Sequence, residues 1–316
     1  MKYLAYGLIV ESEEPLEELV GVEVRETNAP AQISFERVAG TPPPLELQDI
    51  PPPMPELHWP VIARQAGGYR LNFGEESEFW LSGDGQKIRC FRSTPATATV
   101  RHYLLDHVLP RALDLWGLNP LHSTAVATSR GVLAFLGASG TGKSTIAAAL
   151  VARGCELVSD DCLVLSRSAS SILAAPSYPG LRLHQDVCDV LGFDRGLRPM
   201  ADYSPKQRAT GGVPLAKKDL PLLVVYALSR TDVSGVSLAE FAPLGPADAT
   251  MMLAGSAFRI DVERRDLHRR QLGFFAEVVR RVPVRACAFR GDLSNVNLVA
   301  DAILRDASER LPQKPR

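Results

Sequence analysis

Hydrophobic and polar positions change their rhythm twice along the chain. Up to Phe91 the apolar residues come in short runs bounded by turn formers. Tyr3–Val10, Val20–Arg25, Ile33–Val38, Gly68–Phe73, Glu78–Ser82 and Lys87–Phe91 are predicted strands. The triplet Gly83–Gly85 supplies a hairpin turn between the last two, and the run as a whole has a meander pattern. Thr41–Pro55 interrupts it with PPPLELQDIPPPMP, which suits neither sheet nor helix and reads as an exposed connection or an SH3-type ligand. From Thr99 the period becomes helical. Val100, Tyr103, Leu104, His107, Val108, Ala112, Leu115 and Trp116 recur three and four apart, with Pro110 bending the predicted helix.

Past Trp116, strands and helices alternate. Leu121–Ala127 is a predicted strand carrying His122, Val132–Leu136 a buried strand, and Lys143–Leu150 an alanine-rich helix closed by Arg153–Gly154. Cys155–Ser159 and Cys162–Ser166 are extended, and Asp186–Gly192 is a short helix. Arg195–Lys218 reads as loop. Leu220–Leu228 is the strongest buried strand, with Val236–Ala242 as its expected partner. Helices at Ala247–Leu253, Arg264–Arg281 and Leu293–Arg305 and a strand at Val284–Phe289 complete the tail. This alternation predicts an α/β domain over residues 96–316 behind a β-rich domain over residues 1–95, with the boundary near Thr94–Thr99.

Composition narrows the class. An apolar content of 46% and a charged content of 22% suit a soluble globular protein, and a net charge of −1 gives no support to a nucleic-acid surface. Cys90, Cys155, Cys162, Cys188 and Cys287 form no CxxC pair and sit among apolar neighbours, so buried free thiols are expected. No stretch approaches the roughly 18 apolar residues of a membrane span, and a signal-peptide pattern is absent. A cytoplasmic protein with neither membrane nor nucleic-acid partner is expected; whether it forms a homo-oligomer stays open.

The chemistry is concentrated after Leu136. Gly137, Ala138, Ser139, Gly140, Thr141, Gly142, Lys143 and Ser144 spell GASGTGKS, the GxxxxGK[ST] phosphate-binding loop, in its required strand-to-helix setting. Glycines let the backbone wrap a polyphosphate, and loop N–H groups with the helix N-terminus supply positive potential. These residues and Thr145 are expected to bind ATP, with Lys143 on the β/γ-phosphates and Ser144 on Mg²⁺. Asp160 and Asp161 end the next strand, where such folds place metal ligands and bases. Arg195, Arg198, Lys206, Arg208, Lys217 and Lys218 form a basic stretch that is either solvated or closes on the triphosphate. His58, His102, His107, His184 and His268 fall in no motif.

Together these residues resemble the HPr kinase/phosphorylase C-terminal domain family, itself related to the ATP-dependent phosphoenolpyruvate carboxykinases. The matching residues are Leu121-His122, GASGTGKS at Gly137–Ser144, Arg153-Gly154 and Val158-Ser159-Asp160-Asp161. Ser123 stands where that family has glycine, and YPGLRL at Tyr178–Leu183 stands in place of its IRG segment, so Arg182 corresponds and the family's Glu has no clear counterpart. A closer resemblance is to stand-alone HPr-kinase-like proteins of peptide biosynthetic clusters, notably lasso-peptide precursor kinases. YLAYGLIVESEEPLEEL at Tyr3–Leu19, EFWLSGDG at Glu78–Gly85 and LHSTAVA at Leu121–Ala127 carry it.

The resemblance implies a P-loop core of the HPr kinase/phosphoenolpyruvate carboxykinase type that uses ATP and Mg²⁺ to phosphorylate a peptide or protein serine. In that scheme Asp161 takes the hydroxyl proton, Asp160 and Ser144 serve the metal, His122 lies beside the phosphates, and Arg182, Lys206 and Arg208 act as clamps. Three other functions fit the same residues: a kinase of a free small-molecule hydroxyl, a true HPr kinase/phosphorylase, and a non-catalytic nucleotide sensor. The paired aspartates argue against the sensor.

Overall fold

The computed structural model describes residues 1–24, 29–40, 60–74, 77–91, 98–231 and 238–309. The proline-rich stretch, His58 and most of the expected boundary at Thr94–Thr99 lie outside the described residues. Seven strands at the front form one sheet: β1 (Lys2–Ala5), β2 (Leu8–Ser12), β3 (Ile33–Val38), β4 (Val61–Gln65), β5 (Gly68–Asn72), β6 (Glu78–Ser82) and β7 (Lys87–Phe91). Their order is β1-β2-β3-β7-β6-β5-β4, antiparallel from β7 to β4 and parallel where β3 meets β2 and β7. Tyr3–Val10, expected as one strand, is a hairpin. Tyr6 and Gly7 both take positive φ, 57° and 75°, and turn the chain in two residues. Apolar side chains continue through that turn, so periodicity does not mark it. Of the expected Val20–Arg25 strand, the described part forms only a bridge between Glu23 and Tyr3.

Helix α1 (Ala98–Tyr103) passes through a π-helical turn, Leu104–Val108, into α2 (Leu109–Leu115). Pro110 has no N–H to return to the preceding turn, and the ladder leaves α register just upstream, where Leu109 N–H closes on Leu104 O.

Behind it lies a nine-stranded mixed sheet. The chain builds β8 (Asn119–Leu121), β9 (Thr124–Thr128), β10 (Gly131–Leu136), α3 (Lys143–Val151), β11 (Glu156–Ser159), β12 (Leu163–Arg167) and β13 (Ile172–Ala175). It continues through β14 (Leu181–Leu183), α4 (Gln185–Leu191), β15 (Leu197–Pro199), β16 (Gln207–Ala209), β17 (Leu220–Thr231) and β18 (Ala239–Pro243). Helices α5 (Pro246–Gly255) and α6 (Arg265–Arg281), strand β19 (Val284–Arg290) and helix α7 (Val296–Glu309) end it. The large sheet runs β11-β9-β10-β17-β13-β12-β8, with β19 on β17 and β18 on β19. β18 was expected beside β17, but β17 is already flanked by β10 on one side and by β13 and β19 on the other, so β18 pairs with β19. Arg195–Lys218, expected as loop, contains β15 and β16, which join β14 in a separate three-stranded sheet.

Alternate residues of β10 face opposite layers. Leu133 and Phe135 pack with α3 and α7, whereas Val132, Ala134 and Leu136 pack with α5 and α6. A third cluster spans the front sheet, α1 and α2, and continues into Cys162, Val164, Tyr178, Phe258 and Ile260. Each fully buried Phe in these clusters, such as Phe79, Phe135 or Phe275, contributes about 1.5–3 kcal/mol relative to exposure. All five cysteines are buried, and none is joined in a disulfide.

Candidate active site

From Leu136 the chain turns through Gly137–Gly142 into α3. Gly140 and Gly142 take φ of 80° and 105°, a backbone that only glycine adopts without strain. Lys143 folds back over this turn and its Nζ donates to Gly137 O at 2.8 Å and Ala138 O at 3.3 Å. Thr141 Oγ1 donates to Ala138 O at 2.6 Å. Burial lowers the Lys143 pKa; Asp161 and Asp160 oppose that shift and Lys206 adds to it.

Beneath the start of α3 sits Asp160, only 3% exposed. Its Oδ1 accepts from Ser144 Oγ at 2.8 Å and Thr124 Oγ1 at 2.7 Å, and its Oδ2 accepts from Arg182 N–H at 2.8 Å. β11, which ends just before Asp160, was expected beside the loop-bearing strand; β9 intervenes between β11 and β10, and so supplies Thr124. Asp161 is one of two described non-glycine residues with positive φ, at 81°. That reversal separates the two carboxylates: Asp160 is buried, and Asp161 lines the cleft. Asp161 Oδ1 lies 3.2 Å from His122 Nδ1. Burial acts to raise the Asp161 pKa, but His122 and then Arg182 outweigh it and hold the carboxyl below its ordinary value.

His122 lies at the break between β8 and β9, not within a strand as expected. There the chain leaves its pairing with β12 and takes up pairing with β10 and β11. The His122 N–H donates to Ser256 O at 2.7 Å and the ring stands edge-on to Phe258.

Arg182 and Arg208 face each other in register on β14 and β16. The Arg182 fork grips Asp106, with Nε 3.1 Å from Oδ2 and Nη2 on Oδ1, while Nη1 donates to Asp160 O and lies 3.4 Å from Asp160 Oδ2. Arg208 Nη2 is 3.6 Å from Asp106, and its guanidinium lies over the Tyr178 ring. Tyr178 OH and His102 Nδ1 complete the shell of Asp106. Against the effect of burial, Arg182, His102 and Arg208 hold the Asp106 pKa well below the usual carboxylate range.

A cleft of about 290 Å³ brings together His122, Asp161, Arg182 and Lys206 with Ser139, Gly140, Gly142, Lys143, Ser144 and Thr145. Gly137, Ala138 and Thr141 do not line it; the first two offer their carbonyls to Lys143, and Ala138 also accepts from Thr141. Arg208 does not line the cleft: it is 4% exposed within the small sheet, so the basic stretch sends Lys206 to the cleft and Arg208 to the interior. Sequence reasoning missed Asp106, although its i+3 spacing from Tyr103 put it on the buried face of the helix, where a carboxylate needs cationic partners. Arg230, Arg290 and Asp292, from the ends of β17 and β19, also line the cleft without any local motif.

No family model matches the chain, and no curated protein matches it. Among solved structures, the HPr(Ser) kinase/phosphatase from Coxiella burnetii is similar. Its identity is 13% and its TM-score 0.32, over 60% of this chain and 97% of that one.

The donor set fits a hard divalent cation that arrives with a nucleotide. Ser144 Oγ and Asp160 Oδ1 are 2.8 Å apart, and Mg²⁺ is commonly held by one or two carboxylates together with substrate phosphates. No cluster of three or more His, Cys, Asp or Glu residues suited to a metal occurs among the described residues.

Proposed function

We propose that this chain is an ATP-dependent kinase that transfers the γ-phosphoryl group to a serine hydroxyl of a peptide or protein. What supports it is one observation: a phosphate-loop lysine and serine share a cleft with an open carboxylate, Asp161, held against His122. In this scheme Lys143 exchanges the carbonyls of Gly137 and Ala138 for the β/γ-phosphates. Ser144 and Asp160 hold the metal. Mg²⁺, when bound, neutralises charge across the phosphates.

Asp161 accepts the serine proton as the hydroxyl oxygen bonds to the γ-phosphorus and the bond to the β-phosphate oxygen breaks. A carboxylate is a weak base, but the transition state is loose, so late proton removal and alignment suffice. His122 orients that carboxylate, and Arg182 and Lys206 bring positive charge to the cleft. The acceptor class we favour is a ribosomally made precursor peptide of the lasso type, on the resemblance of Tyr3–Leu19 and Glu78–Gly85 to kinases of such peptides.

Incubation with Mg²⁺·ATP and serine-bearing peptides, read by mass, is expected to add one phosphate. Asp161→Asn is expected to slow transfer by at least about 100-fold while nucleotide affinity stays near that of the wild type. Unchanged turnover in that variant would remove Asp161 from the base role. Nucleotide binding with no phosphorylated acceptor would favour the sensor instead.

A further inference from the structure

Asp106 lies outside the loop motif and does not itself line the cleft, yet the most heavily shared cation of the site ends on it. Its two oxygens receive four donors: Tyr178 OH and Arg182 Nη2 on Oδ1, His102 Nδ1 and Arg182 Nε on Oδ2. It is 1% exposed and sits in the middle of the π-helical turn, a kind of distortion frequent at functional sites. Buried ion networks are weak sources of stability, so the use of this one lies in where it aims Arg182.

Arg182 has two carboxylates within reach. Its backbone N–H donates to Asp160 Oδ2, which anchors the Arg182 main chain beside that carboxylate, and Nη1 already lies 3.4 Å from the same oxygen. The planar two-pronged fork faces Asp106, and Asp160 receives only the remaining Nη1, which is 3.4 Å from its carboxylate and bonded to its main-chain oxygen. Without the Asp106 charge the fork would close on Asp160. It would then occupy the lone pairs and neutralise the charge of the carboxylate beside Ser144.

We propose that Asp106 is a positioning residue that draws the Arg182 fork away from Asp160 and so keeps the Asp160 carboxylate available to the metal of a bound nucleotide. This rests on the kinase reading above, and the two can fail separately.

The test uses the full chain with a non-hydrolysable ATP analogue and Mn²⁺ as the probe ion, with bound Mn²⁺ read by electron paramagnetic resonance. Asp106→Asn is expected to weaken Mn²⁺ binding by about 10-fold to 100-fold, as loss of an outer-shell partner does, while metal-free analogue binding changes by less than about twofold. The double variant Asp106→Asn/Arg182→Met removes the competing fork and is expected to regain most of the Mn²⁺ affinity. A merely structural role predicts that the double variant is worse than the single. Wild-type Mn²⁺ affinity in Asp106→Asn, or a double variant no better than the single, would overturn the positioning role and leave the kinase reading standing. Should Asp106→Asn not fold, Tyr178→Phe, which removes one tie between Asp106 and Arg182, must weaken Mn²⁺ binding in the same direction; no change overturns the proposal. If the wild type binds neither analogue nor Mn²⁺, both readings fall together.

Discussion

His107 follows Asp106, and its surroundings keep it neutral. Burial first, then the charges of Arg111 and His102, push its pKa down to about 3, against Asp106 and Asp161. In an unfolded chain histidine titrates near 6.5, so as pH falls from about 6.5 toward about 3 the unfolded state takes up a proton that the native state refuses. Stability attributable to His107 is therefore present at neutral pH and lost on acidification. Asp114, raised to about 6 by burial, acts in the opposite direction over part of that window, so the informative quantity is a difference. His107→Gln is expected to lose less stability than the wild type between about pH 7 and pH 4.5, measured as the urea midpoint. Equal losses would mean that His107 is not held neutral. At this scale the GASGTGKS motif at Gly137–Ser144 was readable because its residues are contiguous and its glycines mark a turn between a strand and a helix. Asp106 and Arg208 were not, since each acquires its role from partners 76 or more residues away or on another strand. Asp161 was legible as a carboxylate, but not as the one that turns out to the cleft, because that follows from its left-handed backbone.

The β6–β7 hairpin shows how one element is held by another. At its tip Gly85 has a φ of 73°, and a methyl group there would come 2.5 Å from Ala112 O and 3.0 Å from Leu115 and Trp116 on or just after α2. Gly67, in the β4–β5 turn, has a similar φ of 78° but nothing within 4 Å. Gly67→Ala meets only the backbone cost of about 1–2 kcal/mol, whereas Gly85→Ala adds an overpacking cost of about 1–3 kcal/mol. The gap between the two variants in chemical denaturation is the worth of seating the hairpin on the helix, and equal destabilisation would show that the contact yields freely. Strands β3, β6 and β7 coincide with their predicted spans because each is a short apolar run closed by turn residues. β4 was missed, the front hairpin was read straight through, and β15 and β16 were taken for loop. Three-residue strands rich in Arg, Pro and Gln carry no period of their own and exist only through pairing, β16 with β14 on one side and with β15 on the other.

Across the whole molecule, α1 and α2 share one apolar cluster with the front sheet and with Cys162, Val164 and Tyr178 next to the site. Asp106, which engages Arg182, rides on the same helical segment. Removing the front sheet would strip Val100, Tyr103 and Leu104 of their cover, so the full chain is expected to unfold in a single calorimetric transition, with equal calorimetric and van't Hoff enthalpies. Two resolved transitions would show that the front sheet and the core fold independently. The alternation of strands and helices announced an α/β molecule, but sheet order is decided by pairings far apart in sequence, such as β17 with β10, β13 and β19. The burial of all five thiols offers a way to watch those pairings come apart. Cys90 sits in β7, Cys155 lies between α3 and β11, Cys188 is in α4, Cys162 lies where the front sheet meets the core, and Cys287 is in β19. An alkylating reagent can reach each sulfur only after its own neighbourhood has opened. The chain thus carries five internal reporters, and the order in which they gain mass records which layer of the molecule lets go first.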